Sequence, residues 1–274
     1  LVRGDLSQYK VRGLYIGGGT PTALTCAQLD RVIGTALECF PGAREFTVEA
    51  GRPDTLDDEK LRMLRAHGVD RVSLNPQTMN DETLRRVGRD HTAEDIRRMY
   101  DEMHGMGFSV INMDLILGLP GETAEDVART LDAIAELTPE NLTVHTLAIK
   151  RAAALRQTGY HADEEEAMRM VELAAHRARE MGYQPYYLYR QKYMAGNLEN
   201  VGYCKPGTAS IYNVDIMEEI MPIAAFGAGA ISKWLYPAAR RIERAPNVKN
   251  IEQYIARVDE MAERKRALWN EEGK

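Results

Sequence analysis

Apolar and polar positions in the first half of the chain fall into short β-type runs separated by longer helical stretches. Val11–Ile16 reads as a strand and Thr25–Cys39 as a helix, with Thr25 and Gln28 spaced as a capping box and Phe40-Pro41-Gly42 as its stop. Glu45–Ala50 is the second strand, and a helix from Leu56 to His67 follows it, closed by Gly68. Arg71–Asn75 is a third strand, Asp81–Val87 and Ala93–Gly105 are helices, and Ser109–Leu117 is the fourth strand. Ala124–Leu137 is a helix that ends before Pro139, and Leu142–Ile149 is the fifth strand. Runs such as Phe46-Thr47-Val48 and Val110-Ile111 read as apolar on both sides, as strands buried in a parallel sheet do. Repeated β-α units imply parallel strands with right-handed crossovers, in a barrel or an open doubly wound sheet.

After Ile149 the rhythm breaks. A polar stretch leads into a charged helix, Asp163–Met181, and then a Tyr-rich strand from Tyr183 to Tyr193. Ala224–Ser232 is rich in small residues, and Ile251–Trp269 reads as one amphipathic helix. A boundary near Lys150 is expected, dividing a β/α unit, 1–150, from a C-terminal α+β extension, 151–274, with a substrate or accessory role.

Composition narrows the classes. The 274 residues suit one large domain or a domain with an appendage. A net charge of −6 gives no support to a nucleic-acid surface, and no stretch approaches a membrane span. Cys26, Cys39 and Cys204 are few, scattered and odd in number, which points to a reducing cytoplasm and buried thiols, not a disulfide framework. The chain opens on Leu1, not methionine, and a fragment of a longer protein is expected.

In parallel α/β folds, ligands sit at the carboxyl ends of the strands. The first strand ends in Gly17-Gly18-Gly19-Thr20-Pro21, where consecutive glycines let the backbone reach positive φ and approach a ligand. The second ends in Glu49 and the third leads to Gln77, with Arg89 one helix later. Asn112 and Asp114 lie in the fourth, ahead of Gly118-Leu119-Pro120-Gly121; the fifth carries His145 and Ala148, then Lys150 and Arg151. Taken singly, a carboxylate here caps a loop and an arginine is a solvated charge. Together they form a polar ring suited to the hydroxyls, amino group and carboxylate of one small ligand.

Tyr15–Thr22, Thr47-Val48-Glu49, Arg71–Gln77, Leu84–Arg89, Asn112–Gly121 and Ala225–Ser232 resemble oxygen-independent coproporphyrinogen III oxidases, which are radical S-adenosylmethionine (SAM) enzymes. Asn200-Val201-Gly202-Tyr203 resembles the branch called coproporphyrinogen dehydrogenase. The resemblance implies a partial (β/α)6 barrel with SAM across the strand ends. By position, Gly18, Gly19 and Thr20 would face the methionyl amino group, Glu49 the ribose or amino group, and Gln77, Arg89 and Asp114 the rest of the pocket. Ala148 and Ile231 would lie on the adenosine side. The implied reaction is oxidative decarboxylation of coproporphyrinogen III to protoporphyrinogen IX, with an electron donor as partner and a monomeric full-length protein in the cytoplasm. Lys150, Arg151, Arg190 and Lys192 are candidate partners for substrate propionates, and Tyr186, Tyr187, Tyr189 and Tyr193 candidate stacking surfaces for a flat tetrapyrrole. A heme chaperone and a non-catalytic SAM-binding module are the alternatives.

The family holds a [4Fe-4S] cluster with C-x3-C-x2-C after the first barrel strand, and this sequence has no such motif. The Gly-rich turn, which follows the second strand in the family, here follows the first. The first strand and its cluster loop are expected upstream of Leu1, so that the chain by itself is inactive and, with an unpaired parallel edge, poorly soluble.

Overall fold

The computed structural model describes residues 1–147, 163–189, 198–237 and 240–269. After a short helix α1 (Arg3–Leu6), the chain runs β1 (Gly13–Ile16), α2 (Cys26–Cys39), β2 (Glu45–Gly51), α3 (Asp58–Ala66), β3 (Arg71–Gln77), α4 (Asp81–Arg86), α5 (Ala93–Gly105), β4 (Val110–Leu117), α6 (Ala124–Leu137) and β5 (Asn141–Thr146). These five strands are parallel and adjacent in sequence order, the arrangement of a curled half-barrel and not of a doubly wound sheet. Capping boxes start three helices: Thr25 with Gln28, Thr92 with Asp95 and Thr123 with Asp126.

Beyond α7 (Glu164–Glu180) the sheet is extended by β6 (Gln184–Tyr189) and β7 (Asn200–Cys204), with β7 antiparallel to both β5 and β6 and lying between them. The Tyr-rich strand is present over its described part. Then come α8 (Ile211–Met217), a hairpin of β8 (Ile231–Tyr236) and β9 (Arg241–Pro246), α9 (Ile251–Ala256) and α10 (Val258–Trp269). The single terminal helix expected from the sequence is two, because the helix ends at Arg257, whose amide is shared between the Gln253 and Tyr254 carbonyls. The hairpin and α10 enclose a small core of Trp234, Tyr236, Ala245, Leu268 and Trp269 that also takes in Val2 and Leu6 from α1 and the residue before it.

The sheet has two unlike faces. Phe46, Val48, Val72, Leu74, Ile111, Met113, Leu142 and Val144 pack with Leu29, Ile33, Leu61, Ile96, Met99 and Leu131 of the covering helices in the main core. The alternate residues face the concave side: Thr47 and Glu49, Ser73 and Asn75, Asn112 and Asp114, Thr143 and His145. The run at Phe46-Thr47-Val48 is therefore apolar only toward the helices, whereas Val110-Ile111 is apolar on both, with Val110 buried at the lower end of the concave face. Short polar side chains such as Thr47 and Ser73 pass for strand-core residues in the sequence while lining a cavity in the fold.

One buried carboxylate lies outside this face. Glu122 accepts a 2.5 Å hydrogen bond from Thr78, and burial pushes its carboxyl above the ordinary glutamate range. A raised folded-state pKa favours the protonated native form, so the stability tied to Glu122 is fully present below the unfolded pKa and is lost as pH rises through the folded one. Glu122→Gln is accordingly expected to melt higher than the parent at pH 7, by a margin that shrinks on acidification. Calorimetric scans at pH 5 and 7 check this, and a margin independent of pH would count against it.

Candidate functional site

The lower and upper ends of the concave face are built differently. At the lower end, where the strands begin, Glu45 accepts hydrogen bonds from the Ser210 hydroxyl (3.0 Å) and from the amides of Ile211 (2.8 Å) and Tyr212 (3.1 Å). Arg71 lies 3.6 Å from the same carboxylate and donates to the Thr208 carbonyl at 2.8 Å. Both side chains are buried, so this end is a plug that fixes the start of α8 against β2 and β3. In β/α barrels that end serves stability, and ligands take the other.

At the upper end the chain opens. Gly18 and Gly19 take positive φ (85° and 69°), and the Gly18 amide donates to Glu49 at 3.0 Å. The Tyr15 hydroxyl donates to the other Glu49 oxygen, and its ring stacks on Tyr212 at 4.0 Å between centroids. A Cβ on Gly17 would lie 2.8 Å from the Glu49 carboxylate, so only glycine leaves room for this approach. Burial, with the Glu49 charge second, pushes the Tyr15 phenol well above its usual range and keeps it a donor. Thr20 immediately precedes the short 3-10 turn Pro21–Ala23 beside this loop.

Gln77 ends β3 buried and in the left-handed region at φ 68°, a conformation that costs a non-glycine residue energy and that clusters at ligand sites. Asp114 accepts from Asn112 Nδ2 at 2.7 Å and lies 3.7 Å from His145 Nε2. Arg89, half-buried, stands near the Arg52–Asp54 pair past the end of β2; burial and then the Arg52 charge push its guanidinium down. Gly18, Glu49 and Asp114 thus gather around Tyr15, and Gln77 and Arg89 follow the adjacent strand end. Ile231 opens the separate hairpin, half-exposed, and no hydrogen bond or ion pair among the described residues joins it to that group. Ala148, Lys150, Arg151, Arg190, Lys192 and Tyr193, like the boundary near Lys150, lie outside the described residues.

On β2 and β3, three buried polar atoms of the concave face, Thr47 Oγ1, Ser73 Oγ and Asn75 Oδ1, have no hydrogen-bond partner. Orphaned groups of this kind are costly in a closed core and suit a face that receives a polar ligand or water. On the β6 side the wall is aromatic. A register shift between Pro185 and Tyr187 turns consecutive tyrosines to the same side: Tyr186 accepts from Asn213 at 3.0 Å, and the Tyr187 hydroxyl is 3.4 Å from that of Thr143. The Tyr187 ring lies flat over Gly202, where a Cβ would collide with it. Gly202→Ala is expected to displace this ring and cost about 1 to 2 kcal/mol through overpacking, measured by urea unfolding; an unchanged midpoint would contradict the packing. Sequence reasoning did not place Tyr15, Tyr212 or Gly202 in the site, although Tyr15 and Gly202 each fall within a motif that carries the resemblance; Tyr212 had no local signal.

A family model for the radical SAM superfamily matches residues 3–134. The oxygen-independent coproporphyrinogen-III oxidase-like protein HemZ of Bacillus subtilis (strain 168) is 44% identical over 262 residues, covering 93% of this chain and 52% of that protein. The heme chaperone HemW of the same strain is 35% identical over 146 residues, 52% of this chain and 38% of that protein. Among solved structures, coproporphyrinogen III oxidase (HemN) from Escherichia coli, a radical SAM enzyme, superposes with a TM-score of 0.72 at 26% identity over 92% of this chain and 58% of its own. The chain spans about half the length of its first relative and less of the second.

The superfamily uses SAM and a [4Fe-4S] cluster. The chemistry of the concave face suits a ligand with hydroxyl and ammonium donors: two carboxylates, Glu49 and Asp114, beside orphaned hydroxyl and amide oxygens. The chain's own thiols do not suit the cluster. Cys26 and Cys39 sit at opposite ends of α2, roughly 20 Å apart at 1.5 Å per residue, and Cys204 is on β7. Burial pushes the Cys26 and Cys204 thiols up, away from the thiolate form that ligation needs. Among the described residues no group of three metal-ligating side chains converges, and no helix is long and apolar enough to cross a membrane. A half-barrel with sequential parallel strands, a Gly-rich turn on a strand-end carboxylate, and sequence and structural likeness over most of the chain lead to one conclusion: residues 3–134 form a domain of the radical SAM superfamily.

Proposed function

We propose that this chain is the SAM-holding part of an enzyme that converts coproporphyrinogen III to protoporphyrinogen IX without oxygen, in heme biosynthesis. The observation that carries this reading is the unsatisfied polar face between Glu49 and Asp114, opposite an aromatic wall. Likeness to an oxidase-like protein over 93% of the chain supports it. Gly18, Gly19, Thr20 and Glu49 would hold the amino-acid and ribose parts of SAM, and Gln77, Arg89 and Asp114 would complete the pocket, with Ala148 and Ile231 on the adenosine side. Bound together, SAM and a reduced [4Fe-4S] cluster supply one-electron hydrogen abstraction. The chain's own residues bind, orient and exclude water. The Tyr15 hydroxyl and Gly18 amide hold the Glu49 carboxylate in place, and Tyr186, Tyr187 and Tyr189 present flat surface to a tetrapyrrole. The four substrate propionates would meet Lys150, Arg151, Arg190 and Lys192, and an electron donor would serve the cluster, in the cytoplasm. The division into a SAM-holding unit, 1–150, and a substrate or accessory unit, 151–274, belongs to the same reading.

The partial likeness to HemW supports a second reading, a heme chaperone. The first test is the coding sequence upstream of the Leu1 codon. A strand followed by C-x3-C-x2-C in frame supports the enzyme, and its absence removes the cluster from the protein. The whole gene product is then incubated anaerobically with SAM, reductant and coproporphyrinogen III. Vinyl-bearing product with methionine release is the expected result. Unchanged substrate with stable heme binding would transfer the assignment to the chaperone.

A further inference from the structure

A run of polar side chains crosses the concave face from β4 to β6 and passes through a histidine to which the proposed mechanism gives no part. Thr143 donates to Asn112 Oδ1 at 3.1 Å, which fixes the amide so that its Nδ2 donates to Asp114 Oδ1 at 2.7 Å. The other Asp114 oxygen, Oδ2, faces His145 Nε2 at 3.7 Å, inside ion-pair reach and beyond hydrogen-bond length. On the far side of the ring, His145 Nδ1 lies 3.2 Å from the Tyr189 hydroxyl. A phenol donating to Nδ1 leaves the proton on Nε2, aimed at Asp114. One Asp114 oxygen is therefore engaged, and the other is faced, among the described residues, by a single donor too distant to occupy its lone pairs, which leaves it open to a ligand.

Among the described residues, the polar and titratable groups around the imidazole are Asp114 on β4 and Tyr187 and Tyr189 on β6, with Tyr15 and Glu49 beyond Asp114. Neither Asp114 nor His145 has a lysine or arginine within ion-pair distance among the described residues. His145 is only half-buried and alternates with Leu142 and Val144, so it faces the concave side and its place on β5 answers no packing demand of the helix layer. From this geometry we propose that His145 is a positioning residue for ligand binding. Oriented by Tyr189, it holds the free oxygen of Asp114 toward the donor groups of SAM. The inference rests on the reading of Asp114 as a SAM contact.

The test is calorimetric titration of SAM into the chain and into Asp114→Asn, His145→Phe, His145→Gln and the double variant Asp114→Asn/His145→Phe. His145→Phe keeps the ring and removes both nitrogens; it is expected to weaken binding about tenfold, and His145→Gln, which restores an N–H donor, to recover most of that loss. In the Asp114→Asn background, His145→Phe is expected to change binding by less than about twofold, because a residue that acts through another has no further effect once that partner is gone. A merely structural histidine would add its loss to that of Asp114→Asn, and additivity overturns the inference. So does wild-type affinity in His145→Phe while Asp114→Asn binds weakly. No binding by the parent chain, or unchanged binding in Asp114→Asn, removes the SAM reading of Asp114 and this inference with it. Melting curves of each variant confirm that the folded state is compared.

Discussion

Glu45→Ala is expected to cost about 3–5 kcal/mol of stability, a large share of what holds a domain folded. The carboxylate accepts from Ser210, Ile211 and Tyr212 and lies beside Arg71 in a buried setting. Its removal strands a buried guanidinium and frees the amide donors at the start of α8, and water cannot reach them without opening the plug. Tyr212, whose ring stacks on Tyr15, is one of the released residues, so the loss should also loosen the Glu49 end of the site. Urea unfolding of the parent and variant measures the effect. A cost below about 1 kcal/mol would mean that the plug is solvated and holds nothing. Glu45→Gln, which keeps an acceptor but loses the charge, should fall between the two.

Gln77→Gly is expected to move stability and affinity in opposite directions. Gln77 sits at φ 68° at the end of β3, where a side chain bearing a Cβ carries about 1 kcal/mol of strain that glycine relieves. Stability should rise by up to that amount, reduced by the lost burial of the side chain. SAM affinity should fall roughly 30-fold, about 2 kcal/mol, if the amide contacts the cofactor as proposed. Titration calorimetry and thermal melts on the same preparations read the two effects together. A variant that is more stable and binds SAM unchanged would leave the backbone conformation without a ligand-related reason.

Most of the β/α half was legible in the sequence because its signals are local. Thr25 with Gln28 announced a helix start that the structure forms as a capping box, and Ala93–Gly105 and Ala124–Leu137 match the observed helices residue for residue. The strand β7 was harder: five residues with Gly202 at their centre carry little strand signal, and the reason for the glycine is a ring from β6. The break at Arg257 had no proline or glycine to mark it. In the site, Glu49 and Gln77 stood out because each lies at the end of a strand, and Asp114 because it is a charge inside a strand that leads to a Gly-rich turn. Glu45 reads in the sequence as an ordinary strand-opening residue, and its partners Ser210–Tyr212 come from the other end of the chain. Tyr212 has no local signal at all, since its place is defined by the ring of Tyr15.

The unlike faces of the sheet also bear on how the chain reaches this fold. Side chains alternate with a period of two, so a slip of one residue in the pairing of any strand from β2 to β5 exchanges its faces. Phe46 and Val48 would then turn to the open cavity, and Glu45, Thr47 and Glu49 would be driven among Leu29, Ile33 and Leu61 of the helix layer. Burying two carboxylates without partners costs far more than a misaligned ladder gains in hydrogen bonds. The polar lining that awaits a ligand in the finished protein therefore also acts earlier, as an error check that leaves shifted registers unable to condense.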